Sequence, residues 1–146
     1  MMVWRNVEAA NEAIQLGHDV VLSPGAFCYL DGYQDSPDSQ PEAYGGYRSL
    51  EMVYDFVPDK GIAPSNRKHI LGIQGNLWTE YVPTESHAEY MLYPRLLAIA
   101  EIGWNGTAEK DFPEFRQRVL AQTIRLHQWG VNAFDLRKEI RNRPEV

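Results

Sequence analysis

The sequence predicts an α/β fold built on parallel strands, and three observations carry that expectation. Helical and strand-like patterns alternate along the chain, which is the signature of βα units. The strand candidates are short, nearly continuous apolar runs, as suits strands covered on both faces. Two strands, with Met2-Val3-Trp4 as the candidate for a third, cannot cover themselves. The 146 residues therefore read as part of a fold, although their number alone would allow one ordinary domain.

Val7, Ala10, Ala13, Ile14 and Leu16 recur near helical spacing and predict a helix over 7–17, closed by Gly17 or His18. Asp19-Val20-Val21-Leu22-Ser23 is a β-branched run stopped by Pro24-Gly25, and predicts a strand. Residues 24–48 are rich in Pro, Gly, Asp, Ser and aromatics without a sustained period. They predict a long loop, and loops of that length in a compact domain are commonly functional. Leu50 to Phe56 predicts a short helix, ended before Pro58, and 57–68 a polar linker. The run from Ile70 to Trp78 predicts a strand whose glycines point to close backbone approach or a bulge. Met91, Leu92, Leu96, Leu97, Ile99, Ala100 and Trp104 predict a helix opening at Thr84-Glu85-Ser86, which Pro94 either kinks or restarts. A last helix is expected from about Pro113 to Trp129, ended by Gly130, and then a tail over 131–146 with one apolar patch before its charges.

Composition narrows the function classes. Hydrophobic residues make up 44% and charged residues 23%, which excludes a disordered, collagenous or coiled-coil chain. The net charge of −6 argues against nucleic acid, whose phosphates require a surplus of Lys and Arg. No apolar run is long enough to span a bilayer, and no signal peptide is visible at Met1. The expectation is a cytosolic protein or one whose beginning lies elsewhere. Cys28 stands alone, so no internal disulfide is expected. Four Trp, eight Tyr and abundant carboxylates suit sugar recognition, since sugar faces stack on rings while hydroxyls bond to acids.

Ligands in α/β folds bind beyond the carboxyl ends of the strands. Two constellations fall there: Ser23 to Gln34 after the first strand, and Trp78-Thr79-Glu80-Tyr81 after the second. Residues two apart in extended chain point the same way, so Tyr29 pairs with Asp31, and Trp78 with Glu80. Two rings and two carboxylates converging on one cleft could hold a pyranose. The competing reading makes Trp78 a core residue and Glu80 a helix-capping acid, and spacing leaves both open. An ordinary two-carboxylate glycosidase pair of Asp31 and Glu80 is a further alternative.

Three ordered segments carry a resemblance: Pro24 to Gln34, Gln74 to Tyr81, and Tyr93-Pro94-Arg95-Leu96-Leu97-Ala98-Ile99-Ala100-Glu101-Ile102-Gly103-Trp104. Together they resemble the C-terminal third of the catalytic barrel of family-20 glycoside hydrolases, the β-N-acetylhexosaminidases, in wording like that of Bacteroides-type members. The resemblance implies a (β/α)8 barrel of which this chain supplies about the last three βα units. It assigns residues 1–130 to the partial catalytic domain and 131–146 to a C-terminal tail. It further implies retaining hydrolysis of terminal N-acetylglucosamine or N-acetylgalactosamine from a glycan. The substrate's own acetamide oxygen acts as nucleophile, an exception to the two-carboxylate scheme. By the family's pattern, Tyr29 orients the acetamide, Trp78 walls it, and Asp31 and Glu80 hold the outer hydroxyls. Tyr44 and Tyr47 are candidates for a second sugar on the leaving-group side. The resemblance also implies a periplasmic or extracellular location.

The sequence departs from that pattern in one respect. The family's adjacent Asp-Glu acid pair occurs nowhere in it, and Arg5 lies too late in the fold to be the arginine that grips the sugar. The expectation is that the missing N-terminal half of the barrel supplies both, and that these residues alone lack hydrolase activity. A truncated, non-catalytic sugar-binding remnant is the alternative. Arg95 and Glu101 are expected to tie their helix to neighbouring elements. His18, His69, His87 and His127 lack ligand spacing, Cys28 reads as a packed residue, and no metal or cofactor is expected.

Overall fold

A computed structural model describes residues 1–106 and 109–140. Strands β1 (Met2–Val3), β2 (Val20–Leu22) and β3 (Ile70–Ile73) form one parallel sheet in the order β1-β2-β3. Met2 pairs with Val21 and Val3 with Leu22; Val20 pairs with Ile70, and Leu22 with Ile73. The register slips between Val20 and Val21, where Leu71 is passed over just before Gly72, an irregularity of the kind that the glycines in this strand predict. Both-sided burial holds best in β2, where Val20 and Leu22 are sealed on one face and Val21 is partly buried on the other. It fails for β3, where Leu71 is 68% exposed. Strand side chains stand out of the sheet plane, so what covers each face decides their burial: Ile70 and Ile73 pack against the core, while nothing among the described residues covers Leu71.

Helix α1 (Ala9–Gln15) buries Ala10, Ala13 and Ile14 and packs on β2. It ends at Gly17, whose φ of +87° is the left-handed conformation that favours glycine at a helix end. The predicted loop is ordered and holds a short helical turn, α2 (Gly25–Cys28), and a 3-10 turn at Pro37–Ser39. Helix α3 (Leu50–Tyr54) is capped by the Ser49 hydroxyl, which accepts from Met52 N at 3.1 Å. Part of the polar linker is also helical, as a 3-10 segment over Pro64–His69.

The helix pattern after Thr84 divides at Pro94 into α4 (Glu85–Leu92) and α5 (Arg95–Asn105), with Pro94 capping the second. Proline lacks the N–H that an uninterrupted helix needs and its ring collides with the preceding turn. Helix α6 (Phe112–Gln128) carries Phe115, Val119 and Thr123 on its buried face and stops before Gly130, at φ +81°. The core joins β2 to α1, α3, α5 and α6 through Val20, Leu22, Val53, Phe56, Ala98 and Phe115. Phe134 and Leu136, from the apolar patch of the predicted tail, belong to the same cluster; its last six residues lie outside those described.

Candidate active site

The chain beyond β2 and β3 stays side by side after the strands end. Leu30 N donates to Asn76 O at 2.7 Å and Asn76 N to Cys28 O at 2.8 Å, a parallel bridge between Tyr29 and Asn76. Side chains lock the same place: the Ser23 hydroxyl, sealed from solvent, donates to Gln74 O at 2.8 Å and accepts from Asn76 Nδ2 at 2.7 Å. Gly75 lies between them against Leu30, Ile99 and Leu96, whose side chains a Cβ there would meet at ordinary contact distances of 3.4–3.5 Å. The outcome is that segment 29–31 faces segment 76–80 across one opening.

That opening is a cleft of ≈ 520 Å³ lined by Tyr29, Asp31, Gly32, Tyr44, Gly45, Gly46, Arg48, Trp78 and Glu80. Its size falls within the range of small-molecule sites. Tyr29 and Trp78 touch edge to face with centroids 5.7 Å apart. Trp78 is 43% exposed, so the competing reading of it as a core residue does not hold. Tyr44 stands at the rim against Tyr81, centroids 6.5 Å apart. Tyr47 is not among the lining residues; its backbone pairs with Tyr33 in a bridge behind the cleft.

The second wall is a backbone construction. Tyr33 N donates to Gly46 O at 2.9 Å, Arg48 N to Tyr33 O at 2.8 Å, and Tyr44 N to Asp31 O at 3.2 Å. Gly32 lies so close to this segment that a Cβ would sit 3.0 Å from both Gly45 O and Gly46 O. Spacing had no means of finding Gly32, Gly45, Gly46 or Arg48. Their trace in the sequence is a Gly-Gly-Tyr-Arg run in an aromatic loop for the last three, and for Gly32 its place directly after Asp31.

Asp31, Glu80, Arg48 and Arg95 set the field. Asp31 is almost fully buried, and burial pushes its carboxyl above the ordinary value. A bond from its own backbone amide opposes the rise, Glu80 adds to it, and Arg95 and Arg48 counter it. Arg48 is held by its Nε on Gly25 O at 3.0 Å and its Nη1 on Tyr47 O at 2.7 Å. Arg95 has no exposure at all and is pulled down to about 9 by burial, which leaves it charged at neutral pH. As expected, Arg95 and Glu101 tie their helix to neighbours, Arg95 through loop carbonyls and Glu101 through Arg118. Cys28 is sealed, with burial pushing its thiol up to about 12, and is inert packing. Among the described residues, no helix is long and apolar enough to cross a membrane.

Comparison with known proteins agrees with this geometry. Residues 1–107 match the glycosyl hydrolase family 20 catalytic domain. The chain is 41% identical, over 90% of its length, to a β-hexosaminidase of Porphyromonas gingivalis, and spans 17% of that relative. It superposes with a TM-score of 0.80 and 34% identity on the family-20 exo-β-N-acetylglucosaminidase of Vibrio harveyi, solved with N-acetylglucosamine, covering 92% of this chain and 21% of that one. Against the Streptomyces plicatus N-acetyl-β-hexosaminidase in complex with thio-NAglucal, the TM-score is 0.76 at 26% identity, covering 92% and 28%. The three parallel strands and their helices are a section of a (β/α)8 barrel, and the chain belongs to the glycosyl hydrolase family 20 catalytic domain.

Proposed function

We propose that this chain is the sugar-holding part of a retaining β-N-acetylhexosaminidase that removes terminal N-acetylglucosamine or N-acetylgalactosamine from glycans by substrate-assisted catalysis. The observation that carries the reading is the convergence of Tyr29, Asp31, Trp78 and Glu80 on one cleft past the ends of parallel strands. In such barrels the active site lies at that end.

Each residue has a distinct task. The Tyr29 hydroxyl donates to the acetamide carbonyl oxygen and holds it in line with the anomeric carbon. Holding an attached nucleophile in this way removes an entropic barrier. Trp78 packs on the acetamide and sugar face and keeps water from the cyclic intermediate. The carboxylates of Asp31 and Glu80 accept from the outer hydroxyls, and Tyr44 meets the leaving-group side. The acid that protonates the leaving oxygen comes from the rest of the barrel, since no Asp-Glu pair occurs in this sequence. The preferred partner is thus a glycan ending in an N-acetylhexosamine, and residues 1–130 form this chain's share of the catalytic domain, with Phe134 and Leu136 of the following segment packed on its core.

The test uses the polypeptide that carries the rest of the barrel. It should hydrolyse an aryl β-N-acetylglucosaminide, release the β-anomer first, and slow steeply as the acetamide is progressively fluorinated, because fluorine weakens the carbonyl oxygen as a nucleophile. Turnover indifferent to fluorination would refute the mechanism, and no turnover would refute the activity.

A further inference from the structure

We propose that Arg95 is a positioning residue of the cleft: its fork of donors fixes the spacing of the two backbone segments that carry Asp31 and Arg48. The kinetic part of this proposal rests on the reading of the cleft given under "Proposed function". Burying a guanidinium is costly unless every donor is met, and here five bonds meet them. Nη1 donates to Gly32 O at 2.9 Å and to Arg48 O at 3.1 Å; Nη2 donates to Leu30 O and Met91 O; Nε donates to Met91 O at 3.2 Å. All five bonds end on backbone carbonyls, four in number because Met91 O accepts two, so they fix the course of the chain rather than the rotamer of another side chain.

The identity of those carbonyls decides what the brace does. Leu30 O and Gly32 O stand on either side of Asp31, and Arg48 O belongs to the opposite wall. The anchor is Met91 O, in the last turn of α4, where helix carbonyls favour a cation. The brace extends one step further through Arg48, whose own guanidinium holds Gly25 O and Tyr47 O. Two arginines in series thus tie the start of α2, both cleft walls and the end of α4 together. A lysine at position 95 would keep the charge but not the planar fork. A displacement of about 1 Å at a binding group is enough to cost on the order of 100-fold in rate.

The experiment compares Arg95→Lys with Val119→Ala in the polypeptide that carries the rest of the barrel. Val119 is buried on α6, away from the cleft. Two readouts are taken: hydrogen exchange at the Tyr33, Tyr44 and Arg48 amides, which close the wall, and steady-state kinetics on an aryl β-N-acetylglucosaminide. Arg95→Lys should exchange at least about 10-fold faster at those three amides while α6 stays protected. Its kcat/KM should fall about 10- to 100-fold, mainly through KM. Val119→Ala should loosen α6 and leave both cleft readouts unchanged. Wild-type exchange at the three amides in Arg95→Lys would overturn the proposal, as would loss of α6 protection or a failure to fold, because the claim is of a local brace. If the parent polypeptide turns over no substrate, the glycosidase reading fails while the exchange measurement still decides Arg95.

Discussion

Tyr29 and Trp78 meet edge to face, with ring centroids 5.7 Å apart and ring planes at 70°. They come from different βα connections, and the parallel bridge at Tyr29 and Asn76 is what brings them together. The contact is between rings, and among the described residues the Tyr29 hydroxyl makes no hydrogen bond, which leaves it to serve a ligand. Tyr29→Phe in the complete enzyme should therefore fold as the parent does, hold KM within a few-fold, and lose about 100- to 1000-fold in kcat, the scale of one lost transition-state donor. Steady-state kinetics on an aryl N-acetylglucosaminide checks this. An unchanged kcat would remove Tyr29 from its role.

Asp31 predicts opposed effects on stability and on binding. Because burial raises its pKa, the native state keeps this proton at a pH where the unfolded chain has released it. Stability from this group therefore rises as pH falls through the raised value, and is lost as pH climbs above the ordinary carboxylate range near about 3.9. Asp31→Asn should melt at the same temperature or higher at pH 7. Its affinity for N-acetylglucosamine should fall by about 2 kcal/mol, the scale of a charged hydrogen bond. Calorimetric titration should also show parent affinity weakening on acidification and a flatter profile in the variant. A variant that binds as tightly as the parent would exclude Asp31 as a hydroxyl acceptor.

What the sequence disclosed follows from the range of each interaction. Alternation is local, so Tyr29 with Asp31 and Trp78 with Glu80 could be paired from spacing alone. Pro94 was legible as a break because its missing N–H acts within one turn. The glycine wall was not, because its geometry depends on Gly32 meeting Gly45 and Gly46, and no periodic pattern encodes a contact between loop segments. Tyr47 shows the converse: an aromatic in the right loop, whose backbone bridges to Tyr33, is not among the residues that line the cleft. Arg95 reads from sequence as a tie between elements, but the acceptors that give it meaning lie on loops far along the chain.

The glycine wall supplies the next prediction. A methyl at position 32 would press on two carbonyl oxygens that belong to backbone and cannot rotate aside. Gly32→Ala should cost about 1–3 kcal/mol through overpacking. The wall must shift to relieve it, so sugar binding should weaken even at temperatures where the protein is fully folded. Thermal melting together with titration of N-acetylglucosamine separates the two effects. Unchanged affinity in the folded variant would show that the 44–48 segment does not shape the site.

Glu101 carries the opposite pH signature to Asp31. The Arg118 guanidinium grips its carboxylate with Nη2 on Oε1 at 2.6 Å and Nη1 on Oε2 at 3.0 Å, and its Nε reaches Glu114 at 2.8 Å. That fork joins α5 to α6 and holds the Glu101 carboxyl below its ordinary value, against a smaller effect of burial. Here the unfolded chain binds the proton first. The stabilisation is complete above the ordinary glutamate range, near about 4.3, and is lost as pH falls through the lowered native value. Arg118 is largely in solvent, which screens the pair, so Glu101→Gln should cost only about 1 kcal/mol at pH 7. Urea titrations of parent and variant should converge as pH drops below 4, and raising the salt at pH 7 should narrow the gap. A difference that persists undiminished in acid would mean that Glu101 acts through packing and not through its charge.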